Sequence, residues 1–251
     1  MTAGALWWQM GKYFFKPDER TGDTIKIIGN SAHHLLHVLR LRIGHEVVFC
    51  NGQNIDYCAK LVSASEKPAS LTFNILSESP SNTEAVTPIT LYQGLPKGDK
   101  IDWIVEKCTE AGISKIIQVY TARTVVKVKD SAKKTERLAR ISESAAAQSM
   151  RGTIPAVLPP ISFAKALEDI DDSNLHLIAF EREQTRSIKS VISNLKPSPI
   201  ALWVGPEGGF EECEAQALEK KGAIPISLGP RILRTETAGL VALTQILCIW
   251  D

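Results

Sequence analysis

Two glycine-bearing loops stand out in the C-terminal part of this chain of 251 residues. The first, Gly205–Gly209, reads GPEGG and follows an apolar run; the second, Leu228–Arg231, reads LGPR and follows the next predicted strand. Because glycine has no side chain, it lets the backbone approach a ligand closely. The two loops together predict a small-molecule slot whose backbone groups read an adenine edge, with Leu228, Ile232 and Leu233 as apolar walls.

The order of the glycines restricts the kind of ligand. GPEGG matches neither G-x-G-x-x-G nor a P-loop, because no Gly-Lys-Ser/Thr follows it. A strand-to-helix turn that needs glycine for its backbone conformation would explain one such loop on its own. Two loops of this kind at neighbouring strand ends favour a ligand site instead.

Arg234 and Glu236 lie between the second loop and an apolar helix predicted over Glu236–Trp250. Thr235 or Thr237 could cap this helix, and Glu236 in its first turn would complement the helix dipole. An arginine just before a helix N-terminus opposes that dipole, so Arg234 is better explained by a ligand. It could bind a phosphate or stabilise a developing anion.

Other combinations of side chains predict little further chemistry. His33 and His37 stand one helical turn apart, but no nearby carboxylate or cysteine completes a ligand set, so no metal is predicted. The five cysteines are widely spaced without a C-x-x-C, which argues against zinc or a disulfide framework and fits a reducing cytoplasm. No Ser/His/Asp or Cys/His arrangement supports a covalent enzyme intermediate.

Positive charge is concentrated in one segment. The net charge is only +1, yet residues 121–151 carry eight Lys or Arg against three Asp or Glu. A solvated helix face would have this composition, and so would a phosphate-facing surface, and the sequence leaves both open. Arg40 and Arg42, which follow the histidine-bearing helix, favour a second edge that faces a polyanion.

The composition is that of an ordinary soluble globular protein, with 44% hydrophobic and 23% charged residues. No apolar run reaches the ~18 residues that a membrane span needs. The N-terminal stretch MTAGALWWQMGKYFF lacks the basic and long apolar regions of a signal peptide, so no membrane association is predicted.

Residues 1–78 are predicted to form a small β-rich domain. A helix capped by Ser31 and ended by Gly44 interrupts its strands, and Asn51-Gly52 is a strong hairpin signal. The polar segment Ser77–Pro88 is predicted to be the interdomain linker. The predicted strands are Ile25–Ile28, Glu46–Cys50, Ile55–Val62 and Leu71–Leu76.

Residues 79–251 alternate strands with helices, which predicts an α/β domain with a mostly parallel sheet covered on both faces. The predicted strands are Ile89–Gly94, Ile116–Tyr120, Leu175–Phe180, Ile200–Val204 and Ile224–Leu228. The predicted helices are Asp99–Ala111, Ser131–Ser149, Thr185–Asn194, Glu211–Lys221 and Glu236–Trp250, with a proline-rich turn over residues 155–160. Both glycine loops follow strand ends, where ligands bind in such sheets.

Several motifs resemble the ribosomal small-subunit methyltransferases that make N3-methyluridine in 16S rRNA, a family of the SPOUT superfamily. The segments GPEGGF and SLGPRILRTETA carry the resemblance most specifically. It extends to GLPKGDK at residues 94–100, EKCTEAG at 106–112, RTVVK at 123–127 and QSMRGTIP at 148–155. His33-His34 and Val38-Leu39-Arg40 resemble the helix of the family's N-terminal domain.

The resemblance implies a PUA-like RNA-binding domain followed by a SPOUT methyltransferase domain that contains a trefoil knot. It implies an S-adenosyl-L-methionine-dependent rRNA (uridine-N3)-methyltransferase that works as a cytoplasmic homodimer in rRNA processing and ribosome biogenesis. The implied partner is the 16S rRNA of the small ribosomal subunit. The knot would be a rare exception to the rule that chains do not thread loops.

Matching positions receive the following roles from the resemblance. Cofactor binding is expected of Gly205, Pro206, Glu207, Gly208, Gly209, Leu228, Gly229, Ile232 and Leu233. Catalysis is expected of Arg234 and Glu236, and RNA binding of Arg40, Arg42, Arg123, Lys127, Gln148 and Arg151. The chain departs from the family pattern at His37, Ala147, Met150 and Gly239, so no role is transferred to those positions.

Methyl transfer from a sulfonium to uridine N3 is an in-line displacement, and N3 must lose its proton before it is a good nucleophile. Arg234 is expected to stabilise charge on a uracil oxygen or to bind the neighbouring phosphate, and Glu236 to take part in proton removal. Two other interpretations stay open. A non-catalytic RNA-binding module would not bind S-adenosylmethionine, and a different nucleotide-binding α/β enzyme would bind ATP or NAD instead.

Overall fold

A computed structural model of the protein describes residues 12–126, 128, 130–170 and 173–251. The chain divides into two compact units, one formed by residues 1–84 with 146–154 and the other by residues 85–145 with 155–251. The first unit therefore extends beyond residue 78 and includes a short segment from much later in the sequence. The N-terminal stretch up to residue 11, Lys127 and Lys129 lie outside the described residues.

The first unit is built on a six-stranded sheet with one helix, α1, at Gly29–His37. Its strands are β1 (Tyr13–Phe14), β2 (Arg20–Thr21), β3 (Thr24–Ile28), β4 (Glu46–Cys50), β5 (Ile55–Glu66) and β6 (Ala69–Pro80). The order across the sheet is β1-β4-β5-β6-β3-β2, and every pair is antiparallel except β1 with β4. The four predicted strands are confirmed.

The hairpin between β4 and β5 forms where Asn51-Gly52 predicts it. The Asn51 side-chain oxygen accepts hydrogen bonds from the N–H groups of Gln53 and Ile55, and Gly52 takes a positive φ of 71°. An asparagine that bonds the backbone two residues onward stabilises a turn in this way. Alternate residues of β5, from Tyr57 to Leu61, then point into the core of this unit.

Two predictions in this unit are wrong. Ser31 lies inside α1, whose N-cap is Ile28, and the helix ends at His37 rather than near Gly44. The segment Ser77–Pro80, predicted as linker, continues β6 because its backbone pairs with β5 as far as Ile55. The end of β6, from residue 76 to residue 80, is exposed, so it lacks the apolar alternation that would have predicted a strand.

The second unit contains a six-stranded sheet in which all neighbouring strands are parallel. Its strands are β7 (Ile89–Gly94), β8 (Lys115–Tyr120), β9 (Ala156–Ser162), β10 (Leu175–Ala179), β11 (Ile200–Val204) and β12 (Ile224–Ile226), in the order β12-β10-β11-β7-β8-β9. The helices are α2 (Lys100–Glu110), α3 (Ser131–Gln148), α4 (Phe163–Glu168), α5 (Ile188–Ile192), α6 (Glu212–Lys220) and α7 (Thr235–Trp250). The predicted parallel α/β architecture is confirmed.

The central strand β11 shows why both faces of this sheet are covered. All five of its residues are buried. Ile200, Leu202 and Val204 belong to one apolar core, whereas Ala201 and Trp203 belong to a second core. Because successive side chains of a strand point to opposite faces, a continuous apolar run is typical of a strand buried on both sides.

Two elements differ from the prediction. The proline-rich segment is the edge strand β9, where Pro159 and Pro160 coincide with a shift in register against β8. Proline has no N–H to donate and is tolerated in sheets at such edges and bulges. Helix α5 begins only after its N-cap Ser187, so it is shorter than predicted. Within the described residues, none of the helices has the length and apolar character needed to span a bilayer.

Candidate functional site

A cleft of about 1030 Å³ lies at the carboxyl ends of β10, β11 and β12. Its walls are the loop after β11, the segment Ser227–Arg234 after β12 and, from the loop after β10, Glu181, Glu183, Gln184 and Thr185. The lining includes all nine predicted cofactor residues: Gly205, Pro206, Glu207, Gly208, Gly209, Leu228, Gly229, Ile232 and Leu233. The structure thus brings both glycine loops to one cleft, and the volume is at the upper end of the range usual for small-molecule sites.

The first loop requires glycine because its backbone folds tightly on itself. A Cβ on Gly205 would lie 2.7 Å from the carbonyl carbon of Gly209, and a Cβ on Gly94, at the end of β7, would lie 2.5 Å from Pro206 Cδ. Gly209 has a φ of 68°, in the left-handed region that favours glycine. Backbone groups of this loop can therefore line the cleft without intervening side chains.

A buried network fixes this loop to the start of α7. Gln93, fully buried at the end of β7, donates from Nε2 to Thr235 Oγ1 at 2.9 Å. Thr235 Oγ1 donates in turn to the carbonyl oxygen of Gly205 at 2.6 Å. Thr235 therefore connects the loop to α7 and does not cap the helix.

The N-cap of α7 is Arg234, not Thr235 or Thr237. Its carbonyl oxygen accepts the N–H groups of Thr237 and Ala238, both at 2.9 Å. Both Arg231 and Arg234 line the cleft and are exposed. Among the described residues, no hydrogen bond or ion pair holds either guanidinium, so both are available to an anionic ligand group.

Glu236 belongs to an ion-pair cluster beside the cleft. Lys100 Nζ lies 3.1 Å from Glu207 Oε1 and 3.2 Å from Glu236 Oε2. The hydrogen bond to Glu207 is the main cause that raises the pKa of Lys100. Partial burial alone would raise the pKa of Glu207, but hydrogen bonds from the N–H of Lys97 and from Lys100 outweigh it and lower that pKa. Lys100 thus joins α2, the first glycine loop and α7.

The loop after β10 forms a wall that the sequence motifs did not indicate. Glu183 accepts hydrogen bonds from the hydroxyl and N–H of Thr185 and from Arg186. These bonds, led by the Thr185 hydroxyl, lower the pKa of Glu183 to about 2. Glu181 packs against Gly209, and no described residue forms a hydrogen bond or ion pair with its carboxylate. The sequence signal that could have indicated this wall is the pair Glu181 and Glu183, which directly follows the predicted strand Leu175–Phe180.

The predicted RNA-binding residues have different surroundings. In the first unit, Arg40 and Arg42 are exposed just beyond α1, and Gln148 is exposed at the end of α3. Arg151 is not exposed: it is 3% accessible and its guanidinium pairs with Glu84. Glu84 also accepts from the N–H of Gly152 and from the hydroxyl of Thr153. This buried ion pair gives Arg151 a structural role, and its contact with RNA stays a prediction.

Arg123 lies at the first glycine loop. Its guanidinium donates to the carbonyl oxygen of Gly208, and its Nε is 4.0 Å from Glu211 Oε1. A Cβ on Gly208 would meet Arg123 Cδ at 3.1 Å, so the aliphatic part of this side chain covers the glycine. The guanidinium predicted to contact RNA is thus partly engaged by the loop. Lys127 lies outside the described residues.

The helical part of the basic segment contains several paired charges. Arg137 of α3 forms an ion pair with Asp102 of α2, and Arg140 pairs with Glu136 one turn away. Such pairing is typical of a solvated helix face.

Within the described part of the chain, no group of three or more His, Cys, Asp or Glu side chains is arranged to hold a metal ion.

Comparison with known proteins agrees with this architecture. Residues 83–247 match the family model of an RNA methyltransferase domain, and residues 27–74 match an RNA methyltransferase PUA domain. The ribosomal RNA small subunit methyltransferase E of Bacillus subtilis is 34% identical over 94% of this chain and 96% of its own length. The protein of the same name from Synechocystis is 34% identical over 92% of this chain and 75% of its own length.

Two solved structures share both fold and sequence. The ribosomal RNA small subunit methyltransferase E of Neisseria gonorrhoeae, bound to S-adenosyl methionine, superposes with a TM-score of 0.85 at 32% identity, covering 96% of this chain and 98% of that one. A putative methyltransferase of Legionella pneumophila, in complex with the same cofactor, has a TM-score of 0.83 at 27% identity, covering 94% and 96%.

A parallel α/β unit with a cleft at its strand ends, joined to a β-rich PUA-like unit, defines the class of two-domain RNA methyltransferases. Within that class, the chain belongs to the ribosomal RNA small subunit methyltransferase E family.

Proposed function

We propose that this protein transfers a methyl group from S-adenosyl-L-methionine to N3 of a uridine in 16S rRNA of the small ribosomal subunit. The observation that carries this proposal is that all nine residues expected to hold the cofactor line one cleft in a chain of this family. The reaction belongs to ribosome biogenesis, so we expect the protein to act in the cytoplasm.

The residues of the cleft fit S-adenosylmethionine. The two glycine loops offer backbone groups for the adenine edge, and Leu228 and Leu233 supply apolar walls. The cofactor carries a positively charged sulfonium and an ammonium group, and Glu181 contributes a carboxylate without a partner among the described residues. When bound, the cofactor supplies an electrophilic methyl group.

The residues of α7 and its N-cap act on the uridine. Arg234, at the cleft and without a partner among the described residues, stabilises negative charge on a uracil oxygen or binds the adjacent phosphate. Glu236 takes part in removing the N3 proton, and Lys100 sets the position of its carboxylate. Because a uridine within folded rRNA is stacked, it must be splayed out to reach this cleft.

The exposed cations of the first unit, Arg40 and Arg42, hold the RNA backbone. The family resemblance further predicts a homodimer and a trefoil knot. Sedimentation equilibrium tests this part of the proposal: a mass of one chain at micromolar concentration would rule out the dimer.

Ligand binding separates this proposal from the two alternatives. Titration calorimetry with S-adenosylmethionine, ATP and NAD should show binding of S-adenosylmethionine alone. Transfer of its labelled methyl group should then occur to 30S particles and not to 50S particles. Binding of ATP or NAD instead would support another nucleotide enzyme, and RNA binding without cofactor binding would support a non-catalytic module.

A further inference from the structure

A second pocket lies in the first unit, separate from the cleft. Its volume is about 510 Å³, and its lining combines two aromatic rings, an arginine and two amide side chains. These are Phe15, Tyr57, Arg20, Asn51 and Gln53. The proposed function assigns no role to this pocket, and no motif of the sequence indicated it.

The pocket is built around a fixed guanidinium. Arg20 Cζ lies 4.6 Å from the centre of the Tyr57 ring, in cation–π geometry. Arg20 Nε donates to the carbonyl oxygen of Gly22 at 3.1 Å, which holds the guanidinium in place. Tyr57 is 3% exposed and is supported from the side by Phe15, whose ring meets it edge-on at 5.5 Å. One face of the guanidinium therefore rests on an immobile ring, while the side chain keeps 33% of its surface exposed.

The rim of the pocket can read a planar polar ligand. Both hydrogen bonds that Asn51 Oδ1 accepts come from its own hairpin, so this oxygen is fixed. Among the described residues, neither the amide nitrogen of Asn51 nor the side chain of Gln53 has a hydrogen-bond partner. These amides present donors and an acceptor beside the guanidinium, as the edge of a nucleobase requires.

The local charge disfavours a phosphate as the ligand. Arg20 Nη2 lies 3.8 Å from Glu78 Oε2, so a carboxylate already faces this cation and would repel an anion. Stacking on the guanidinium plane does not require a free positive charge. An unpaired base can stack on arginine as it does on an aromatic ring.

We infer that this pocket binds a nucleobase of a single-stranded RNA segment, stacked on Arg20 and read at its edge by Asn51 and Gln53. The inference rests on the proposed function because it takes RNA as the substrate. It adds a site for an unpaired nucleotide other than the methylated uridine.

Two substitutions at one position separate stacking from charge. Arg20→Lys keeps the positive charge and removes the planar group, whereas Arg20→Gln removes the charge and keeps a planar amide. Binding of the full-length protein to a fluorescein-labelled single-stranded 12-mer RNA is measured by anisotropy. Arg182→Lys is the matched control, since Arg182 is an exposed arginine paired with Glu212 in the second unit.

We expect Arg20→Lys to weaken binding about fivefold or more, the loss expected for one stacked base, and Arg20→Gln to weaken it less. Arg182→Lys should bind like the wild type, and a duplex of the same sequence should not distinguish Arg20→Lys from the wild type. Wild-type affinity in Arg20→Lys would overturn the inference. If, in addition, Arg20→Gln loses affinity, the requirement is for positive charge, and Arg20 contacts a phosphate instead of a base.

Calorimetry with S-adenosylmethionine and methyl transfer to 30S particles, run on the same proteins, keep the two proposals apart. If the wild type transfers methyl groups while Arg20→Lys binds the 12-mer normally, only the pocket inference fails. If the wild type binds the cofactor and transfers no methyl group to RNA, the proposed function fails. Absence of any binding to the 12-mer by the wild type would overturn the pocket inference as well. Thermal unfolding is the folding control: Arg20→Lys should unfold at the same midpoint temperature as the wild type.

Discussion

At the scale of single residues, the cleft separates groups that hold its shape from groups available to ligands. Gln93 and Thr235 are buried and form hydrogen bonds with one another and with the first glycine loop. Arg231 and Arg234 are exposed at the cleft without partners among the described residues. Substitutions should accordingly separate cofactor affinity from the rate of methyl transfer.

Arg234→Ala should slow methyl transfer about 100-fold or more, the usual cost of removing one group that stabilises developing negative charge. Affinity for S-adenosylmethionine should stay within a few-fold of wild type, because Arg234 is expected to act on the uridine. A single-turnover assay on 30S particles measures the rate, and calorimetry measures the affinity. The control is Arg140→Ala, at an exposed arginine of α3. Normal turnover in Arg234→Ala would rule out this role.

Gly205→Ala should weaken cofactor binding about tenfold or more, because the new Cβ meets the loop backbone and such overpacking costs about 1–3 kcal/mol. That Cβ would lie 2.7 Å from the carbonyl carbon of Gly209. Gly222→Ala is the matched control, since Gly222 lies outside the cleft and nothing lies within 4 Å of its Cβ. Equal calorimetric affinities for the two variants would contradict the role assigned to the loop backbone.

At the scale of elements, the first unit depends on a late segment of the chain. Residues 146–154 belong to this unit, and the pair of Arg151 with Glu84 secures them. Partial burial would raise the pKa of the Glu84 carboxyl, but hydrogen bonds from Arg151 and Thr153 outweigh it and hold that pKa below its ordinary value of 4.5. Stability from this carboxylate is therefore complete above pH 4.5 and is lost as the pH falls below it.

Glu84→Gln should lower the free energy of unfolding by about 2 kcal/mol at pH 7, because it removes charge-assisted hydrogen bonds to a buried arginine. The difference from wild type should shrink at pH 3.5, because Glu84 then binds a proton in the unfolded chain, where its pKa has the ordinary value of 4.5. Urea unfolding followed by far-UV circular dichroism measures both. Glu66→Gln, at an exposed position of β5, should have no effect at either pH. A difference that is the same at both pH values would refute the ionic origin of this stability.

The elements were predicted best where one periodicity dominated. Strand β11 was predicted at its observed bounds because an apolar run flanked by proline and glycine is a strong signal. Helix α7 was also predicted, but its cap was not, because the bonds of Thr235 to Gly205 and Gln93 join residues far apart in the sequence. The edge strand β9 was missed because its prolines indicate a turn until the neighbouring strand is known.

For the site, the sequence identified the loops and missed the third wall. Gly205–Gly209 and Leu228–Leu233 have distinctive compositions, whereas Glu181 and Glu183 are ordinary acidic residues until the sheet order places β10 beside β11. The sequence could not indicate that Arg151 is buried, because its burial follows from tertiary packing. Sequence motifs indicate which residues matter, and the packing decides what they contact.

At the scale of the whole molecule, a net charge of +1 means that RNA binding must rely on local cations. Replacing both Arg40 and Arg42 by alanine should weaken RNA binding and reduce the slope of log K against log salt by about 1.4, or about 0.7 for each phosphate that is no longer neutralised. The control is the double alanine variant of Lys220 and Lys221, exposed cations at the end of α6. The slope is measured by filter binding at salt concentrations from about 50 to about 200 mM. An unchanged slope would show that Arg40 and Arg42 do not contact phosphates.

The proposed reaction is methylation of uridine N3 in 16S rRNA with S-adenosylmethionine bound in the cleft. The most direct test incubates the purified protein with 30S particles and cofactor carrying a deuterated methyl group. The 16S rRNA is then digested to nucleosides for mass spectrometry. We expect the label to appear in N3-methyluridine, and the Gly205→Ala variant to produce much less of it. Label in any other nucleoside, or no label in 16S rRNA, would show that the protein is not a uridine-N3 methyltransferase of 16S rRNA.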